Sequence, residues 1–229
     1  MRQLRRGLRI AVTGFGPFPG VPFNVSAALA EYLGRAVPRP PRLEVFATVL
    51  PVEWRRAAAE ARRLIEAVEP HAVLHFGVSQ RAKGFVIETR AVNLTSRRAD
   101  HANAVPAGHC VRRGAATVLT AAFQAERLAR RLRLAGIAAT VSADAGRYLC
   151  NAVFYETLAH SARLNTPPLA AFIHIPALTA AQMEGGGPPV RCGWDMLRAG
   201  GELVLRLAAL EASSDVPHTV ALRRRRSCW

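Results

Sequence analysis

Residues 137–175 read IAATVSADAGRYLCNAVFYETLAHSARLNTPPLAAFIHI. The two ends of this stretch, 137–142 and 169–175, are short apolar runs typical of buried strands, and the segment between them, 148–163, has the spacing of a helix. A strand, a helix and a second strand in this order form a βαβ unit, which joins strands of a largely parallel sheet. The stretch therefore predicts an α/β fold.

The same alternation extends over the rest of the chain. Further strands are predicted at 8–13, 43–50, 71–77 and 85–94, and further helices at 26–35, 52–68, 114–135 and 194–212. Asn24 or Ser26 is a suitable N-cap for the helix 26–35, and Gly136 is a suitable C-cap for the helix 114–135. The pattern predicts a three-layer α/β/α sandwich with a largely parallel central sheet, in one domain of residues 1–215. Residues 216–229, which include the arginine run 223–226, are predicted to be a basic, frayed tail.

The composition limits the class of protein. The chain has 229 residues, half of them hydrophobic, and a formal net charge of +15 at pH 7. It is too apolar for a disordered protein, and no apolar run is long enough to span a membrane. Most of the arginines lie on the polar sides of predicted helices, so we interpret the charge as a solvated basic surface. Nucleic-acid binding is the alternative, although no aromatic–basic interleaving supports it.

The cysteines indicate the compartment. They lie at positions 110, 150, 192 and 228, without the CxxC spacing of paired sites. This pattern favours free thiols in a reducing compartment, and we predict a cytoplasmic protein. The apolar run at 8–12 is short and is interrupted by Arg9, so it does not predict a signal peptide.

Cys150 is a candidate nucleophile. Gly146 permits a sharp turn after the strand 137–142, and Cys150 follows in the first turn of the next helix. The unsatisfied N–H groups and partial positive charge of a helix N-terminus favour a thiolate and can bind an oxyanion. A buried structural cysteine is the competing interpretation.

His174 is a candidate base. It lies near the end of the apolar strand 169–175, and histidine titrates in the range that a cysteine nucleophile requires. A hydrogen-bonded core histidine is the competing interpretation, and composition alone does not choose among the seven histidines.

Four segments together resemble the pyroglutamyl peptidase I (pyrrolidone carboxyl peptidase) family of cysteine peptidases. They are TGFGPFPG at 13–20 with Asn24 and Ser26 after it, ETRAVN at 88–93, AGRYLCNAVFY at 145–155 and FIHIP at 172–176. They occur in order between residues 8 and about 178, and the cysteine and FIHIP segments are highly specific.

The resemblance implies a function and a catalytic triad. Members of this family remove N-terminal pyroglutamate through a thioester intermediate, without a cofactor. By this resemblance Cys150 is the nucleophile, His174 is its base, and Glu88 orients and stabilises the imidazolium.

The resemblance also implies a substrate site and an assembly. Phe15 and Phe18 would form apolar walls for the flat, uncharged lactam, and Asn24 would brace their loop. Arg98 would lie near the oxyanion. The substrate would be a peptide or small amide, and the chain would form a homo-oligomer, a tetramer by family resemblance.

Some segments depart from the family pattern. The 78–84 loop and the 99–106 loop differ, and Ala152 replaces the histidine that is common after CN. We therefore keep a second hypothesis, a thiol hydrolase of another lactam or acyl-amide. Metal binding at Asp100, His101, His109 and Cys110 fits no standard zinc spacing, so we predict a polar loop there and no metal.

Overall fold

The computed structural model describes residues 7–18, 21, 23–35, 42–183, 193–214 and 221–223. The strands are β1 (Leu8–Phe15), β2 (Leu43–Leu50), β3 (Ala72–Ser79), β4 (Phe85–Glu88), β5 (Arg90–Val92), β6 (Val118–Thr120), β7 (Ala139–Ser142), β8 (Leu169–Pro176) and β9 (Ala221–Arg223). The helices are α1 (Val25–Arg35), α2 (Ala57–Val68), α3 (Ala125–Leu134), α4 (Leu149–Ser161), α5 (Ala180–Met183) and α6 (Trp194–Ala212).

A six-stranded sheet forms the centre of the molecule, in the order β2-β1-β3-β8-β4-β7. All neighbouring pairs are parallel except β4 and β8, which are antiparallel. Helices α1, α3 and α6 pack on one face, and α2 and α4 pack on the other. The predicted three-layer α/β/α sandwich with a largely parallel sheet is confirmed.

The central strands are buried on both faces, which explains their continuous apolar sequences. In β8, His174 is the one residue that is not fully buried. Strand β8 therefore lies in the core along its whole length, and only the ionisable side chain of His174 is partly exposed.

The predicted βαβ unit at 137–175 is wrong in its topology. Strand β4 lies between β7 and β8 and is parallel to β7 but antiparallel to β8, so β7 and β8 run in opposite directions. The elements are where the periodicity places them. The relative direction of β7 and β8 depends on β4, which lies between them in the sheet and comes from a distant part of the chain.

Both predicted helix caps are confirmed. The Oδ1 atom of Asn24 accepts a hydrogen bond from the N–H of Ser26 at 3.2 Å, in the first turn of α1. Gly136 has a φ of +76° directly after the last turn of α3. Glycine reaches this left-handed conformation without a Cβ clash.

Two predicted elements are divided. The predicted strand 85–94 breaks at Thr89, whose N–H donates to Ser142 and whose carbonyl accepts from Ala121, so the chain passes from the central sheet into a second one. The predicted helix 114–135 begins only at Ala125, because residues 118–120, which include the β-branched Val118 and Thr120, pair with β5.

The second sheet is small and antiparallel, in the order β5-β6-β9. Its last strand, β9, falls within the segment 216–229, which we predicted to be a frayed tail. These three residues instead pair with β6. Residues 215–220 and 224–229 lie outside the described residues, and the division into a domain and a tail stays a prediction. Within the described ranges, no helix is both long and apolar enough to cross a membrane.

Candidate active site

An open cleft of about 450 Å³ lies at the carboxyl ends of β1, β3 and β8. Its walls come from β1, β4, β8, the β3–β4 connection, the segment after β7 and the start of α4. The lining includes all seven predicted site residues: Phe15, Phe18, Asn24, Glu88, Arg98, Cys150 and His174.

His174 and Glu88 form an ion pair across two strands. His174 on β8 lies directly opposite Val86 on β4, and Glu88 is two residues further along β4, on the same face. The Nδ1 atom of His174 is 2.9 Å from the Oε1 atom of Glu88, and Glu88 is almost completely buried. The carboxylate therefore fixes the ring and leaves its Nε2 atom for another partner.

Cys150 lies beside the same ring. Gly146, with a φ of +80°, turns the chain before α4, and Cys150 is the second residue of this helix. The side chain of Cys150 lies close enough to the His174 ring to raise the pKa of that imidazole. The cleft thus brings together a thiol, an imidazole and a carboxylate from three separate elements.

Gly77 provides the space for the sulfur. It pairs with His174 across β3 and β8, and a Cβ atom at this position would lie only 3.1 Å from the Sγ atom of Cys150. The sulfur therefore lies over a backbone position without a side chain, beside the imidazole. The sequence contains no local signal for this role beyond the glycine itself.

Cys150 reaches the cleft by an unexpected route. We expected it at the carboxyl end of a strand parallel to β8, but β7 runs the other way. The segment 143–148 instead returns the chain so that the start of α4 lies against Gly77 and His174. No side chain caps α4, so the N–H groups of its first turn are available for a ligand.

The electrostatics of the cleft favour the protonated form of His174. Burial alone would lower the pKa of His174, but the hydrogen bonds and charges of Cys150 and Glu88 outweigh it and raise that pKa to about 10. The imidazole therefore keeps its proton at neutral pH, next to the sulfur. A protonated imidazole beside a cysteine sulfur is the kind of neighbour that favours a reactive cysteine.

The aromatic wall comes from the loop after β1. Phe15 is buried and packs against Phe172, with ring centroids 6.3 Å apart, whereas Phe18 is partly exposed. The Nδ2 atom of Asn24 donates to the carbonyl of Gly16 at 2.9 Å. Asn24 thus braces the loop with its amide.

Arg98 lies at the rim of the cleft. It is exposed, and its guanidinium is 4.9 Å from the centroid of the Tyr148 ring. The carbonyl of Arg98 accepts a hydrogen bond from the indole N–H of Trp54 at 3.0 Å, which holds this part of the loop. Arg98 is therefore placed to reach a group bound in the cleft.

Asn151 is a positioning residue that sequence reasoning missed. It is completely buried, its Oδ1 atom accepts from the N–H of Val92, and its Nδ2 atom donates to the carbonyls of Val92 and Leu94. These bonds tie the residue next to Cys150 to the end of β5. The sequence feature that could have identified Asn151 is its position directly after Cys150 in the motif.

Asp100 organises the loop that departs from the family pattern. Its carboxylate accepts hydrogen bonds from the N–H groups of Trp54, Ala102 and Ala104. Among the residues that the structure describes, no three His, Cys, Asp or Glu side chains are grouped as a metal site would require.

Comparisons with known proteins show the family of this chain. The sequence model of the pyroglutamyl peptidase family matches residues 8–200. The pyrrolidone-carboxylate peptidase of Coprothermobacter proteolyticus is 37% identical over 185 residues, which cover 79% of this chain and 86% of that protein. The enzyme of the same name from Thermococcus litoralis is 33% identical over 170 residues, which cover 73% and 76%.

The fold comparison gives the same result. The solved structure of pyrrolidone carboxyl peptidase from Thermococcus litoralis superposes with a TM-score of 0.78 at 30% identity, and the match covers 91% of this chain and 97% of that one. That of the A199P mutant from P. furiosus superposes with a TM-score of 0.79 at 28% identity, covering 89% and 99%. The family match spans most of the chain and includes the cleft, and the chain therefore belongs to the pyroglutamyl peptidase family of hydrolases.

Proposed function

We propose that this chain hydrolyses the amide bond that follows an N-terminal pyroglutamate, with Cys150 as nucleophile, His174 as base and acid, and Glu88 as the residue that orients His174. The observation that carries the proposal is the continuous contact from Glu88 through His174 to Cys150 in one cleft.

The charges of the cleft favour a blocked N-terminus. Its two lining carboxylates are already paired with cations, Glu88 with His174 and Asp144 with Arg147. A free α-amine would need an unpaired carboxylate, whereas a neutral lactam needs apolar walls and a few hydrogen-bonding groups. Phe15 and Phe18 supply such walls.

In the first half of the reaction, the thiolate of Cys150 attacks the pyroglutamyl carbonyl carbon and a C–S bond forms. The N–H groups at the start of α4, together with Arg98, stabilise the oxyanion. His174 gives its proton to the amine as the C–N bond breaks, which leaves a thioester on Cys150.

In the second half, His174 takes a proton from water, and the resulting hydroxide attacks the thioester. The C–S bond breaks, pyroglutamic acid leaves, and the thiolate of Cys150 is restored beside the imidazolium. Atoms and charges balance without a cofactor.

Substitution of Cys150 tests the proposal. Cys150→Ala is expected to abolish turnover of a pyroglutamyl-amide reporter while the circular dichroism spectrum and thermal unfolding stay unchanged. Cys110→Ala is the matched control, since Cys110 is the other cysteine among the described residues and does not line the cleft. Full activity in Cys150→Ala would show that Cys150 is not the nucleophile.

A substrate panel tests the choice of lactam. The second hypothesis, another lactam or acyl-amide, remains because the 78–84 and 99–106 loops differ from the family pattern. Reporters with pyroglutamyl, prolyl and acetyl groups on the same leaving amine separate the two. We expect hydrolysis of the pyroglutamyl reporter alone.

Two further expectations belong to this proposal. The family resemblance implies a homo-oligomer, and light scattering would distinguish the expected tetramer from a monomer. The free thiol at the active site suits a reducing, cytoplasmic location, which cell fractionation would test.

A further inference from the structure

The uncompensated charges around the cleft are cationic. Besides His174, Cys150 and Tyr148, four ionisable side chains line it: the carboxylates Glu88 and Asp144, and the guanidiniums Arg81 and Arg98. Asp144 is paired with Arg147, with 2.6 Å between Oδ1 and Nη1, and this hydrogen bond holds the pKa of Asp144 below its usual range. Within the described part of the chain, no carboxylate lies within ion-pair distance of Arg81 or Arg98.

Arg81 belongs to the wall that departs from the family pattern. It lies in the connection between β3 and β4 and is exposed, and its neighbours Ser79 and Ala82 also line the cleft. Arg98 already has a place in the proposed oxyanion stabilisation and lies over Tyr148. Arg81 is therefore the cleft cation without a role in the proposed chemistry.

The position of the leaving peptide explains what such a cation could bind. In the proposed reaction the pyroglutamyl ring lies against Phe15 and Phe18 and the scissile carbonyl lies at Cys150, so the next residue extends towards the mouth of the cleft. A guanidinium at this mouth attracts a carboxylate and repels an ammonium group.

We propose that Arg81 gives the enzyme a preference for peptides in which an acidic residue follows the pyroglutamate. This inference rests on the proposed function. The net charge of +15 adds a long-range attraction for acidic peptides. The assignment to Arg81 is local, and substitution of this one residue separates it from the overall field.

The test uses three peptide amides in which pyroglutamate is followed by Glu, Ala or Lys. At low ionic strength we expect kcat/KM for the Glu peptide to exceed that for the Lys peptide about fivefold or more, given the strength of exposed charge pairs. In Arg81→Gln this ratio should fall at least about threefold, and in Arg81→Glu it should invert. The ratio cancels any general loss of activity. In about 1 M salt, where the Debye length is about 3 Å, the wild-type preference should shrink.

Arg130→Gln is the matched control. Arg130 is exposed on α3, on the other side of the sheet from α4, and carries the same charge, so its loss should leave the ratio unchanged. A preference that persists undiminished in Arg81→Gln overturns the assignment. Hydrolysis without any charge preference overturns the inference but leaves the proposed function intact. Absence of hydrolysis with all three peptides overturns both.

Discussion

His174 and Glu88 lie on neighbouring antiparallel strands, and their side chains meet with 2.9 Å between Nδ1 and Oε1. The two residues are 86 positions apart in the chain. Because Glu88 is almost completely buried, its charge acts on the ring through little solvent. The pair sets both the orientation and the protonation of the proposed base.

Replacing Glu88 by Gln should change the pH dependence of the enzyme. The pKa of His174 is raised to about 10, so the imidazolium persists through neutral pH and is lost as the pH rises through that value. Removing the carboxylate charge lowers the pKa of His174 and moves the high-pH limb of kcat/KM to lower pH. The rate should also fall by about 10²–10⁴-fold. The measurement is a kcat/KM profile across neutral and alkaline pH. An unmoved limb would show that Glu88 does not act on His174.

Adding one methyl group at Gly77 should impair the nucleophile. A Cβ atom there would lie 2.9 Å from the Phe172 ring and 3.1 Å from the Sγ atom of Cys150. Gly77→Ala should therefore displace the sulfur and lower kcat about 100-fold, with a loss of about 1–3 kcal/mol in stability. Gly108→Ala is the control, because no heavy atom lies within 4 Å of its added Cβ. Equal activity in both variants would contradict the proposed packing.

Asn151→Ala should destabilise the fold. Three hydrogen bonds to the backbone of Val92 and Leu94 are lost in a fully buried place, and the freed backbone groups stay without partners. We expect a loss of about 2–4 kcal/mol in urea unfolding. Asn165→Ala is the exposed control and should change stability by less than about 0.5 kcal/mol. A stable Asn151→Ala protein would show that these bonds contribute little.

His75 should make the protein sensitive to acid. It is completely buried between Thr13 and Thr157, and burial lowers its pKa to about 3. The unfolded chain, with a histidine pKa near 6.5, binds this proton more readily than the folded one. The stability from neutral His75 is thus present above pH 6.5 and is lost as the pH falls towards 3, by about 1.4 kcal/mol per pH unit.

Urea unfolding at about pH 7.5 and pH 4.5 measures this effect. The wild type should lose about 3 kcal/mol from His75 between these two conditions, and His75→Gln should lose correspondingly less. Equal losses in both proteins would show that His75 becomes protonated in the folded state without cost.

Much of the fold follows from local sequence patterns. The apolar run of β8 and the caps at Asn24 and Gly136 are short-range signals, and the structure contains them as predicted. The prediction for 114–135 was wrong in its first half, because an alanine-rich segment has helical spacing even where its β-branched residues pair with β5. The opposed directions of β7 and β8 depend on β4, which no local pattern reveals.

The candidate site was predicted from motifs. The residues alone favoured a structural interpretation of both Cys150 and His174, and would have given Glu88 as a surface carboxylate. The ordered resemblance to one family selected these three, and the structure brings them into contact. Asn151 and Gly77 were missed because their roles depend on backbone distances between elements that are far apart in the sequence.

The insertion of β4 between β7 and β8 has a consequence for biosynthesis. Strand β4 leaves the ribosome early, but β7 and β8, the two strands it pairs with, are synthesised only much later. Its edges therefore stay unpaired during much of translation, and pairing at such long range is slow. A nascent chain that stops before β8 holds Glu88 and Cys150 but has no complete sheet, so proteolytic competence arises only when the last central strand has been made.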